Sequence, residues 1–137
     1  MTVVAVVSDL HLGSTVGLCP PTVELDDGGI YQHSHVQSWL WECWQDFWDK
    51  AHRLAKDDEL VVVWNGDLLE NLHHATTQLW SMNQADWFRA ARVVFASVLP
   101  VTRQFVLRGT AVHDGSSGQL VEACAPEGVV TPADGTR

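Results

Sequence analysis

Three short apolar runs, each closing on polar residues, organise the hydrophobic pattern of the chain. Val3 to Val7 is unbroken and rich in β-branched residues, and it ends at Ser8-Asp9. Leu60 to Trp64 (LVVVW) ends at Asn65-Gly66-Asp67, and Gln104 to Leu107 ends at Arg108-Gly109-Thr110. Runs this apolar read as strands buried on both faces, the usual state in a parallel sheet. Between the first two, residues 12 to 33 are rich in Gly, Pro and Asp without a period and predict a long loop. From about Ser34 to Lys56 the period turns helical, with Val36, Leu40, Cys43, Phe47, Ala51 and Leu54 along one stripe. Trp41, Trp44 and Trp48 form an adjoining stripe, so this helix is expected to be mostly buried.

Residues 68 to 80 fit a short helix or a structured loop equally well. Asn83 is a suitable N-cap, with Asp86 in the first turn, for a helix burying Trp87, Ala91, Val94 and Val98 and stopping at Pro100. A short helical segment is expected near Gln119 to Cys124, and the tail from Ala125 reads as loose. The order strand, loop-helix, strand, helix, strand predicts an α/β sheet with right-handed crossovers.

At 137 residues the chain holds one domain. Lys and Arg total 8 against 17 Asp and Glu, a net charge of −9, so it is not a generic binder of polyanions. A bound metal pair would offset that charge locally, which keeps phosphate-bearing substrates admissible. Cys19, Cys43 and Cys124 are odd in number and irregularly spaced; they read as reduced thiols of a cytoplasmic protein. The amino-terminal run is too short for a membrane span and lacks a basic flank, so neither a signal peptide nor a membrane partner is expected.

Ligands of open α/β sheets bind beyond the carboxyl ends of the strands, so the three polar endings are expected to converge. Asp9 and His11, two apart, would point to one side of an extended segment, a carboxylate and an imidazole suited to Mn, Fe, Zn or Ni. Gly66 would let the chain turn so that the Asp67 carboxylate reaches inward and bridges two ions. Taken singly, Asp-x-His and Gly-Asp are common and usually structural. Their joint placement at strand ends gives the signal its weight.

The series S-D-L-H-L-G, N-G-D and R-G-T-x-x-H-D, over residues 1 to about 118, resembles the calcineurin-like metallophosphoesterase family. In particular it is similar to a phage and prophage variant with G-T-x-x-H in place of G-N-H. The resemblance implies the amino-terminal half of a metallophosphoesterase β-sandwich flanked by helices, with residues 1–124 a partial domain and 125–137 a loose tail. It implies two divalent ions (Mn, Fe, Zn or Ni), with Asp9 and His11 on the first and Asp67 bridging both. The implied reaction is hydrolysis of a phosphomonoester or phosphodiester by a dinuclear metal-activated hydroxide, with nucleic acid or nucleotide among the admissible substrates. His113 would be the catalytic acid or a further ligand. Thr110 replaces the family's Asn ligand, and Ala111 replaces its His.

No histidine follows His113, so the family's later His and G-H-x-H elements have no counterpart. The chain is accordingly expected to need a missing carboxy-terminal half or to self-associate, and to be inactive alone. The alternative is a truncated, inactive remnant acting as a weak metal-binding or interaction module. His73 and His74 are either substitute ligands or phosphate contacts, or an exposed loop pair. Arg108 could clamp a phosphate bidentately or pair with a carboxylate. The tryptophans at 39, 41, 44 and 48 favour core packing, or a surface covered by the missing half, over base stacking, since no basic residue accompanies them before Lys50.

Overall fold

The structure is a computed structural model and describes residues 1–72, 78–115 and 125. Three strands form the main sheet: β1 (Thr2–Val7), β4 (Glu59–Asn65) and β5 (Arg103–Leu107). Their order is β1-β4-β5, both pairings are parallel, and β4 lies in the centre. Two short strands, β2 (Thr22–Glu24) and β3 (Ile30–Gln32), pair antiparallel within the segment expected to be a plain loop. The mixed α/β class and the three predicted core strands are present.

Register sets where the chain leaves the sheet. Val7 stands opposite Trp64, Trp64 opposite Val106, and Asn65 opposite Leu107. All three strands therefore stop at nearly one level, and their polar continuations emerge side by side.

Burial on both faces holds for the central strand only. In β4, Leu60, Val61, Val62 and Trp64 are buried, whereas in β1 only Ala5 is, and Val4 and Val6 are 55% and 57% exposed. The reason is layering: helices α1 (His35–Ala55) and α2 (Gln84–Ser97) pack their indoles and aliphatic chains on one side of the sheet. Val4 and Val6, on an edge strand, alternate onto the other side.

The helix α1 begins at a capping box: Ser34 Oγ accepts from Gln37 N, and Gln37 Oε1 accepts from Ser34 N. Its buried face is Gln37, Trp41, Trp44, Trp48, Ala51 and Ala55, a run of three- and four-residue steps. The stripe expected inside is thus mostly outside, with Val36, Phe47 and Leu54 exposed. Bulk decides this: each buried indole removes far more apolar area from water than a Val or Leu. Trp39, by contrast, is exposed.

The N-cap predicted for α2 is present, Asn83 Oδ1 accepting from Ala85 N at 3.0 Å, and Trp87, Ala91, Val94 and Val98 are buried as expected. Buried Asp86 accepts from Asp26 N and Ser81 Oγ, tying the β2–β3 turn to this helix. The expected helical segment near 119–124, Cys124 and residues 126–137 lie outside the described residues, as do His73 and His74. Among the described residues no helix is long and apolar enough to cross a membrane.

Candidate metal centre

Beyond the sheet edge, the continuations of β1 and β4 stay paired. Asp9 N donates to Gly66 O, His11 N to Asp67 O and Leu12 N to Leu68 O, while Glu70 N donates back to Leu12 O. These four bonds fix two polar segments against each other, residues 9–12 and 66–70.

The backbone within them is not extended. Asp9, His11 and Asp67 have φ of 56°, 48° and 50°, in the left-handed region that non-glycine residues seldom enter. The expectation that Asp9 and His11 share the side of an extended segment is corrected accordingly: each sits on a left-handed kink. Such a conformation costs about 1–2 kcal/mol per residue and persists only where surrounding bonds impose it. Three of the four residues assigned to metal or catalysis from the sequence carry it.

The β5 continuation joins through two glycines and one aspartate. A Cβ on Gly66, whose φ is +79°, would lie 2.5 Å from Gly109 Cα, and one on Gly109 would lie 2.1 Å from Asp67 N. Only glycine at both positions lets these backbones touch. The approach brings three N–H groups to Asp114, at the end of the short helix α3 (Ala111–Asp114). Its Oδ2 accepts from Asp67 N at 2.9 Å and Gly109 N at 2.7 Å, and its Oδ1 from Leu68 N at 3.1 Å. Asp114 is fully buried, and burial pushes its carboxyl above the ordinary range while the N–H donors act against that.

Asp67 is held by Thr110. Thr110 N and Oγ1 both donate to Asp67 Oδ1, at 2.6 and 2.9 Å. Partial burial works to raise this carboxyl, but the two Thr110 bonds and the imidazoles of His113 and His11 outweigh it and hold it below its ordinary value. Asp67 is therefore ionised and faces both histidines electrostatically.

The histidines meet edge to face, their ring centroids 4.6 Å apart. Glu70 completes a group in which one ligand atom each from His11, Glu70 and His113 all lie within 4.8 Å of one another. His11 Nδ1 is 2.9 Å from Glu70 Oε2, yet it is buried without an aligned hydrogen bond. His113 Nδ1 is 2.9 Å from Glu70 O. A carbonyl can only accept, so Nδ1 carries the proton and Nε2 presents its lone pair, the tautomer that a metal-ligating histidine adopts.

The fit to a cation follows from these contacts. His11 Nδ1, buried without an aligned hydrogen bond beside the Glu70 carboxylate, is an orphaned polar atom of the kind a bound cation would satisfy. Two imidazoles and one carboxylate suit Zn, Mn, Fe or Ni. His11 and His113 are thus brought together as the sequence suggested, and Asp9 lines the same cavity as they and Glu70 do. Asp67 feels both imidazoles electrostatically but is not part of the cluster. Arg108, beside Gly109, is absent from the cavity lining.

Two residues escaped the sequence reading. Glu70 had a usable signal, a second acid three residues after Asp67 that closes an apolar Leu68-Leu69 pair, and it is 6% exposed in the fold. Asp114 closes the R-G-T-x-x-H-D element, but nothing in the sequence marks it as a buried acceptor for the N–H groups of two strand continuations. Compared with known proteins, the chain matches no family model, no curated protein and no solved structure.

Proposed function

We propose that this chain carries a metal-dependent phosphoesterase site of the calcineurin-like kind, set on the amino-terminal half of such a fold. The observation that carries the reading is convergence. Asp9 and His11 after β1, Asp67 and Glu70 after β4, and His113 after β5 gather at one edge of a parallel sheet. Asp-x-His follows β1, Gly-Asp follows β4 and the variant G-T-x-x-H-D follows β5, an order that supports the reading.

His11, Glu70 and His113 would hold a divalent ion, with the ionised Asp67 and Asp9 beside it to steady the charge. When bound, that ion supplies neutralisation of phosphoryl oxygens and lowers the pKa of water. The chain's own groups do the rest. Thr110 fixes the Asp67 carboxylate, the Glu70 carbonyl fixes the His113 tautomer, and Asp114 holds the β4 and β5 continuations at their separation. His113 Nε2 would place a proton near a leaving oxygen only when no ion occupies it, so acid and ligand are competing roles for one atom.

Phosphate binding reads this site directly. Inorganic phosphate should bind the Mn2+-loaded chain and not the metal-free one, and His11→Ala or His113→Ala should abolish the difference. Phosphate affinity independent of both Mn2+ and these histidines would sink the proposal.

A further inference from the structure

We infer that the substrate of this site is a phosphoester whose alcohol part is an apolar, aryl-sized group, seated against α1; the inference rests on the phosphoesterase reading. A cavity of about 700 Å3 extends from the metal centre to the helix. That is within the range of small-ligand sites, roughly 300–1,000 Å3. Its two ends differ in chemistry. Asp9, His11, Glu70 and His113 line it from the strand ends and Leu40, Trp44 and Phe47 from α1, with Ser8, Ser14 and Gln78 also in the lining.

The apolar end is built by the helical repeat. Positions 40, 44 and 47 are at i, i+4 and i+7, so one stripe of α1 faces the cavity. Trp44 is fixed by its Nε1 donating to Ser97 Oγ at 2.9 Å and is 7% exposed, so it serves as a wall and not as a mobile contact. Phe47 is 41% exposed although it belongs to the cavity lining. A bound apolar group would cover it.

Charge excludes the alternatives. Among the described residues no Lys or Arg lines the cavity, and the whole chain carries −9. A polynucleotide, which needs several cations along its backbone, meets none among the described residues of the lining. A sugar seated against α1 would set hydroxyls against Leu40, Trp44 and Phe47, whose apolar faces do not satisfy them, and only Ser8, Ser14 and Gln78 elsewhere in the lining offer neutral polar side chains. One phosphoryl group at the metal end and one apolar ring at the helix end satisfy both walls.

Phenylphosphonate and methylphosphonate separate these contributions, because they share the phosphoryl group and differ in the ring. Calorimetry with the full chain, with and without Mn2+, should show phenylphosphonate bound at least about tenfold more tightly than methylphosphonate. Phe47→Ser should erase most of that ratio and leave methylphosphonate affinity unchanged, whereas Trp39→Ser, altering an exposed residue outside the cavity lining, should change neither. Equal affinity for the two phosphonates, a ratio that survives Phe47→Ser, or no phenylphosphonate binding at all would each overturn the inference. Failure of the phosphoesterase reading looks different: the ring preference persists but neither affinity depends on Mn2+.

Discussion

Asp114 shows how much one buried carboxylate can organise. Its two oxygens take three N–H groups from the continuations of two strands. Asp114→Ala leaves all three donors without a partner and should destabilise the chain by at least about 3 kcal/mol, a large part of a typical total. Asp114→Asn should also destabilise strongly, since the amide turns one acceptor into a donor aimed at N–H groups. Asp67→Asn keeps an acceptor for Thr110 and should be much milder. Urea denaturation of the three variants ranks them; equal losses would show that Asp114 has no such role. Asp67 itself carries a pH signature. Its folded carboxyl lies below the ordinary 3.8, so its contribution is complete above that value and is lost as pH falls through the lower, folded value. Thr110→Val removes the hydroxyl donor. The wild-type advantage over this variant should be present at pH 7 and shrink below pH 3.8, and a pH-independent difference would contradict the assignment.

At the scale of elements, the sequence was most informative where one force dominates. The β-branched runs and the Asn83 cap gave β1, β4, β5 and the start of α2 to within a residue, because burial and capping are local signals, whereas α2 ends at Ser97, short of the expected stop at Pro100. Burial of α1 is less than expected because two apolar stripes adjoin and the sheet takes only one, a choice that periodicity alone cannot make. Only size separates them, and the indoles won. The β2–β3 hairpin was missed because its strands are three residues each and its support is tertiary, through Asp86 and the stacked rings of Tyr31 and Trp80, 4.7 Å apart. In the site, the kinks at Asp9, His11 and Asp67 were illegible because they arise from pairing between segments far apart in sequence. The thiols test the helix and hairpin placements together. Cys19, buried between the hairpin and α2, has its thiol pushed up from 9.0 to about 12 by burial, whereas Cys43 on α1 is exposed. Iodoacetamide at pH 8 should modify Cys43 and spare Cys19 until denaturant is added. Because the unfolded thiol ionises first, stability should also decline as pH rises above 9.0. Rapid native-state labelling of Cys19 would contradict this packing.

For the whole molecule, the layering that builds the site leaves the opposite face of β1 apolar. Val4 and Val6 stand exposed on an edge strand, a combination that favours association between sheets. Light scattering should show self-association that Val4→Lys with Val6→Lys reduces, and a wild-type chain that stays monomeric at high concentration would contradict it. The central claim is that the ends of three parallel strands assemble one cation site from His11, Glu70 and His113. Glu70 tests it most directly, because the resemblance does not require it as a ligand and only the folded geometry brings it in. Calorimetric titration with Zn2+ should give one ion per chain, weakened at least about tenfold by Glu70→Gln with apo thermal unfolding little changed. Zn2+ binding of equal affinity in wild type and Glu70→Gln would contradict the claim.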